Sequence, residues 1–273
     1  MSADLNLAGL KQELQAQGID IVRVIYPDVL GIPRSKDMLV SQMERTLAHG
    51  PAFCQGVWFT TTTGGVLDGR NSLSDGLPDF ITRIDPTTLR PAPWEPGVAY
   101  VVADAFDSDG SPTPIAPRTV LKSVLAEFAA AGLTPIAGPE LEFYLADQTD
   151  DGTWKRVINK TGRVYMTGTL VDPDGIFLAM LRDLDTFNIG AIAGNHEFSP
   201  SQYEINLWHS EALDAADRTF LFKTGVKEMA AQAGLLATFM GRPWNDEGGS
   251  GYHFHMSVND SSGKNVMADG DAL

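Results

Sequence analysis

The sequence predicts an α+β protein in two parts, and three observations predict it. Polar turn residues and three prolines cluster in DSDGSPTPIAPR (107–118), a break in composition. Short strand-like runs among long loops precede that break, whereas helical and strand periods alternate after it. In the second part, three strand-like segments each pair an apolar face with a face of metal-ligand types.

Residues 5–17 read as a short helix, with Leu7, Leu10 and Leu14 at steps of three and four and Gly18 as the stop. Ile19 to Tyr26 reads as a strand, and Pro27, Asp28, Gly31 and Pro33 punctuate the stretch after it. Residues 60–97 are rich in Thr, Gly, Pro and Asp, and Val98–Ala103 reads as a strand. Beyond the break, Val120–Ala131 places Leu121, Val124, Leu125 and Phe128 on one helical face, and Gly132 ends it. Asp172-Pro173 takes the N-cap and first helical positions of a second helix. The apolar stripe of that helix is Ile176, Phe177, Met180, Leu181, Leu184 and Phe187. A third helix spans about 214–233 and stops at Gly234; strands are expected near 134–146, 202–208, 235–240 and 252–258.

Composition narrows the function. The 273 residues are 43% hydrophobic, enough for a sizeable core. Lys plus Arg number 20 against 35 Asp plus Glu, a net charge of −15. That balance disfavours nucleic acid and anionic membranes, both of which need clustered cations. It leaves phosphate ligands open, because a divalent cation can bridge carboxylates to a nucleotide. The single cysteine, Cys54, makes an internal disulfide or a Cys-based zinc site impossible and reads as a small packing residue. The N-terminus lacks a basic stretch followed by an apolar core, and no apolar run approaches the ~18 residues of a membrane span. The expectation is a soluble cytoplasmic protein.

The three strands carry the chemistry. In GPELEFYLA, Glu140 and Glu142 share a face opposite Leu141, Phe143 and Leu145. In SQYEINLW, Gln202, Glu204 and Asn206 oppose Tyr203, Ile205 and Leu207. In GYHFHMSV, His253, His255 and Ser257 oppose Tyr252, Phe254, Met256 and Val258, which form the expected core face. Carboxylates crowded on a half-buried sheet raise one another's pKa unless a cation intervenes. Oxygen-rich sites with a histidine suit Mg²⁺ or Mn²⁺ rather than zinc. Glu197 lies seven residues before Glu204, and Pro200 breaks the chain between them, so both can enter one cavity. The glycine-rich NDEGGSG turn, with Gly248, Gly249 and Gly251, lets backbone approach a ligand closely.

These residues resemble the glutamine synthetase family from about residue 20 to the end. Four blocks carry the resemblance: Tyr26-x-Asp28-x-x-Gly31-x-x-Arg34-x-Lys36; Gly138-Pro139-Glu140-Leu141-Glu142-Phe143; His196-Glu197 followed by Gln202-Tyr203-Glu204; and Gly249-Ser250-Gly251-Tyr252-His253-Phe254-His255-Met256-Ser257. The resemblance implies a β-grasp domain over 1–110. It also implies a catalytic domain over 114–273 with a curved antiparallel sheet backed by helices. Family members form stacked rings, so a dodecameric homo-oligomer is implied for the complete protein. Glu142, Glu197 and Glu204 would hold one divalent metal, and Glu140 and His253 a second. His255 and Ser257 would serve the nucleotide, and Gly248 and Gly249 the glutamate. The implied chemistry is phosphorylation of glutamate's γ-carboxylate by ATP, then attack by ammonia or a primary amine.

Three departures qualify it. The Asp-Gly-Ser-Ser block of glutamine synthetases corresponds to Gly56-Val57-Trp58-Phe59-Thr60-Thr61, an apolar wall without a carboxylate, which suits an organic amine better than ammonium. The residue before Gly249 is Gly248, not the usual Asn, and Glu247 precedes it. Family members continue well beyond the H-x-H strand, whereas here no arginine follows Arg242 and the sequence ends in SSGKNVMADGDAL. The sequence therefore reads as a fragment, expected to be poorly soluble and inactive alone. A non-catalytic structural or regulatory relative, and a phosphotransferase of the same fold with another nucleophile, are the alternatives.

Overall fold

The computed structural model describes residues 6–67, 75–158 and 163–268. The last five residues of the polar tail, 269–273, lie outside them. The chain divides into Met1–Glu127 and Phe128–Leu273, and the composition break at 107–118 lies just before that division.

In the first unit, helix α1 (Leu7–Ala16) starts where the Asn6 side chain accepts from Gly9 N at 3.0 Å. Then come β1 (Ile21–Pro27), β2 (Pro33–Leu39), α2 (Met43–His49), β3 (Ala52–Cys54), β4 (Asp79–Ile84), β5 (Arg90–Pro91), β6 (Val98–Phe106) and α3 (Pro117–Ala130), the last of which runs across the division at Glu127. The sheet order is β2-β1-β6-β4-β3, with β5 also paired to β6. The β1–β6 pair is parallel and the remaining pairs are antiparallel. Val22, Val24, Val40, Met43, Ala99 and Val101 form its core.

The Tyr26-x-Asp28-x-x-Gly31-x-x-Arg34 block now has a physical account. Asp28 is buried, and its Oδ1 accepts from Leu30 N and Ile32 N at 2.8 and 2.9 Å. Gly31 supplies the positive φ (+71°) that the turn requires. Arg34 ties Asp28 to the 56–61 block through Nε–Oδ2 at 2.9 Å and a bond to Thr60 Oγ1 at 2.7 Å. Trp58 corrects the sequence reading. It is buried in an aromatic cluster with Tyr26 and Phe80, at ring distances of 5.4 and 4.9 Å, and does not form an open apolar wall. Packing takes it inward, because its large apolar surface gains most there.

The second unit centres on one long strand, β7 (Leu133–Gln148). After it come β8 (Trp154–Arg156), α4 (Ile176–Thr186), β9 (Ala191–His196), β10 (Gln202–Leu207), β11 (Ser210–Glu211), α5 (Ala212–Gln232), β12 (Leu236–Thr238) and β13 (Tyr252–Asp260). All its strand pairs are antiparallel: β8, β10, β11, β12 and β13 pair with β7, and β9 pairs with β10. Among the described residues, no helix is long and apolar enough to cross a membrane.

The helices cover the apolar face of this sheet. Phe143 is fully buried among the rings of Tyr203, Phe222 and Phe239. From α4, Phe177 stacks on Tyr203 at 4.7 Å. That approach needs Gly194, since a Cβ there would lie 2.7 Å from the Phe177 ring and 2.8 Å from the Glu204 carbonyl. The predicted stripe of this helix packs as expected, with Phe177, Met180, Leu184 and Phe187 buried.

Two local readings change. The second helix begins at Ile176, not at Asp172-Pro173, because Gly175 N bonds Asp172 O and closes a turn first. Asp172 still caps the helix from a distance, accepting from Phe177 N and Leu178 N at 3.1 and 3.0 Å. On β13, only Val258 of the expected core face is buried; Tyr252, Phe254 and Met256 are about half exposed or more. Their alternation is real, but β7 flanks this strand on one edge, and the partnership of Tyr252 with Thr219 of α5 leaves much of these side chains exposed.

Candidate metal and substrate site

Register turns three separate polar faces into one. In the antiparallel pairs Glu204 faces Glu142 and Asn206 faces Glu140. On the other edge of β7, His253 faces Glu140 and His255 faces Gly138. On β9, Asn195 faces Glu204. Directly opposed residues share a face, so carboxylates, amides and the His253 imidazole from four strands line one cavity of about 500 Å³.

Ligand atoms of Glu140, Glu204 and His253 lie within 4.8 Å of one another. His253 Nδ1 and His255 Nε2 approach the same oxygen of Glu140, at 3.5 and 3.4 Å. Amides orient the remaining carboxylates. Asn195 donates to Glu197 Oε1 at 3.0 Å, Asn206 to Glu204 Oε1 at 3.0 Å, and Gln202 to Glu142 Oε2 at 2.6 Å. Glu197 and Glu204 are buried. Burial pushes the Glu197 carboxyl up against the lowering effect of Asn195, and the Glu142 charge adds to the rise. Burial likewise raises Glu204, opposed by Asn206 and assisted by Glu140 and Glu197. Four glutamates and a histidine converging in partial burial fit a divalent oxygen-seeking cation, which removes the repulsion among the carboxylates.

The glycine turn is clasped to this sheet. Gly248 N donates to Ser199 Oγ at 2.8 Å, and Tyr144 Oη donates to Gly248 O at 2.6 Å. Gln202 Nε2 donates to Gly249 O at 3.0 Å, so one amide spans the turn and Glu142. A Cβ on Gly249 would lie 2.7 Å from the Gly241 carbonyl. Glu247 pairs with Arg156 of β8, whose guanidinium also lies over the Trp244 ring at 5.8 Å. Trp244 packs edge-on against Tyr144 at 5.3 Å. The Glu247 departure is thus an ion-pair anchor. Replacing Arg156 with Ala leaves the mostly buried Glu247 unpaired, at a cost of about 1–3 kcal/mol. Amide exchange at Gly248 and Ser250 should then quicken roughly tenfold or more, as read by hydrogen-exchange mass spectrometry.

Ser257 shares the polar face at the far end of β13, opposite Ile136. The sequence reading assigned no role to Asn195, Asn206, Gln202, Tyr144, Arg156, Tyr165 or Phe198. The three amides were visible as polar residues on or beside the strands, but their partners depend on register. Arg156, Tyr165 and Phe198 sit in loops or at strand ends with no periodic signal.

A sheet face that gathers glutamates and a histidine beside a glycine turn defines an α+β protein whose polar cavity has the donor types of a divalent-cation site. Comparison with known proteins narrows this: the glutamine synthetase catalytic domain matches residues 114–273. The chain belongs to the glutamine synthetase family. It is 33% identical to the gamma-glutamylethanolamide synthetase GlnA4 of Streptomyces coelicolor over 98% of this chain and 60% of that protein. It is 31% identical to a glutamine synthetase of Halobacterium salinarum over 97% of this chain and 57% of that protein. A solved GmaS–ADP complex superposes with a TM-score of 0.81 at 28% identity, covering 96% of this chain and 58% of that one. The chain thus spans under two thirds of the length of these relatives.

Proposed function

We propose that the whole protein is an ATP-dependent carbon–nitrogen ligase that joins the γ-carboxylate of glutamate to ammonia or, preferentially, to a primary organic amine. The observation that supports this best is the convergence of Glu140, Glu142, Glu197, Glu204 and His253 on one cavity, in a chain of this family. Glu142, Glu197 and Glu204 would hold one Mg²⁺ or Mn²⁺, with Glu140 and His253 holding a second. Cations held by these residues would supply charge neutralisation of phosphate oxygens, the chemistry that phosphoryl transfer needs. The chain's own groups do the rest. His255 and Ser257, on the same face, would receive the nucleotide phosphates, and the clasped Gly248–Gly249 backbone would receive glutamate. In the second step the amine lone pair attacks the γ-acyl carbon, the bond from that carbon to the phosphate oxygen breaks, and phosphate leaves with the electron pair. The proton lost by the amine passes to a base or to water.

The preference for an organic amine is supported by the absence of a carboxylate from Gly56–Thr61 and by the likeness to a protein named for ethanolamide synthesis. The first unit is read as a β-grasp domain, and the protein as a cytoplasmic, ring-forming homo-oligomer, dodecameric in its complete form. The exposed Tyr252, Phe254 and Met256 support the expectation that these 273 residues alone are poorly soluble. The test is ADP release by the protein expressed from its full reading frame, with ATP, Mg²⁺ and glutamate, against ammonium, alkylamines, ethanolamine and polyamines. Turnover requiring both glutamate and an amine supports the proposal. Turnover highest with ammonium refutes the amine preference, and ATP hydrolysis indifferent to glutamate refutes the ligase.

A further inference from the structure

We propose that Phe198, together with Tyr165, forms an aromatic lip over the Glu197 side of the cavity that holds the carbon substituent of the acceptor amine, making Phe198 the residue that sets acceptor selectivity. This rests on the ligase reading above and adds a residue and a ligand class to it: primary amines with a short aliphatic chain.

Among the described residues, Tyr165 and Phe198 are the two most exposed large apolar side chains, at 77% and 70%. Both line the cavity that contains the metal-type carboxylates, where the other side chains are carboxylates, amides and an imidazole. Exposed aromatic rings are normally scattered, whereas here the two extremes converge on one polar cavity. Their placement is enforced. Tyr165 N donates to His196 O at 2.9 Å and His196 N donates to Met166 O at 3.2 Å, a reciprocal bridge joining the two segments. Glu197 N donates to Gln202 O at 2.8 Å, which anchors the residue just before Phe198. Tyr165 is held at φ +55°, a left-handed conformation that costs a non-glycine residue energy and persists only where the surroundings impose it.

The chemistry of an alkylamine matches this arrangement. It has a cationic or hydrogen-bonding head, which suits the buried Glu197, and a hydrocarbon tail, which suits a ring face. Ammonia has no carbon to place against the lip. Trp58, the aromatic residue that the sequence offered for this purpose, is consumed by the core.

The test is steady-state ligase kinetics of the full-reading-frame protein with n-butylamine and ammonium as competing acceptors. Phe198→Ala should lower the ratio of kcat/KM for n-butylamine over ammonium about tenfold or more, the scale set by a few methylenes in an apolar pocket. Phe198→Leu should restore most of that ratio, which a role in folding alone would not produce. KM values for ATP and glutamate, measured in the same variants, report whether the site is intact. An unchanged acceptor ratio overturns the proposal, as does a rise confined to KM for ATP, which would assign the ring to the nucleotide. Wild type that turns over only ammonium also overturns it while leaving the ligase reading standing. Wild type with no turnover on any acceptor removes both.

Discussion

Replacing Glu204 with glutamine should stabilise the metal-free protein and abolish most of the stabilisation that metal confers. The carboxyl is buried, opposed to Glu142 across the β7–β10 pair and grouped with Glu140 and His253. Its pKa is raised above the ordinary 4.5, so the folded chain retains a proton that the unfolded chain releases. Below pH 4.5 both states are protonated and the substitution is neutral in this respect. As pH rises through the interval up to the raised folded value, the wild type loses stability relative to the variant, and the gap persists at neutral pH. Metal reverses the order, because the cation requires the carboxylate. An ion present at 100 times its Kd contributes about 2.7 kcal/mol, or roughly 5–10 °C for a chain of this size. Melts in EDTA and in MgCl₂ from pH 4 to 8 measure both effects. A variant that melts below wild type in EDTA and gains equally from Mg²⁺ would remove Glu204 from the cluster.

The second large effect is on the scaffold. Phe143 lies between Glu142 and Tyr144 on β7 and points to the opposite face, where it is fully buried against Tyr203, Phe222 and Phe239. Phe143→Ala removes a ring from contact with α5, β10 and the segment after β12 at once. The expected cost is about 3–5 kcal/mol, the range for a large buried aromatic truncated to Ala. Because its strand neighbours are site residues, cation affinity should fall with stability. Urea unfolding measured with and without Mg²⁺ reads both. A cost near 1 kcal/mol would mean that this face is loosely packed.

Much of this is legible in the residues alone. Period-two alternation in GPELEFYLA and SQYEINLW places Glu140, Glu142 and Glu204 on the face opposite Phe143 and Ile205, as the register shows. Glycine stops mark the ends of α3 and α5 to within two residues. Alternation cannot supply register, however, so nothing in the sequence puts Glu204 opposite Glu142 or His253 opposite Glu140. It also cannot tell a packed face from an open one, and therefore misreads Tyr252, Phe254 and Met256. Trp58 is misread for the related reason that an aromatic run fits a pocket wall and a core equally well. The clasp of Arg156 on Glu247 joins residues 91 apart across an irregular stretch and leaves no local trace.

The most direct test of the central claim, that one sheet face is a two-cation site, is a Mn²⁺ titration monitored by electron paramagnetic resonance. The full-reading-frame protein should bind two Mn²⁺ per chain near neutral pH, and Glu140→Gln and Glu142→Gln should each weaken one of them. Binding that never saturates, or that saturates identically in wild type and both variants, would contradict the account.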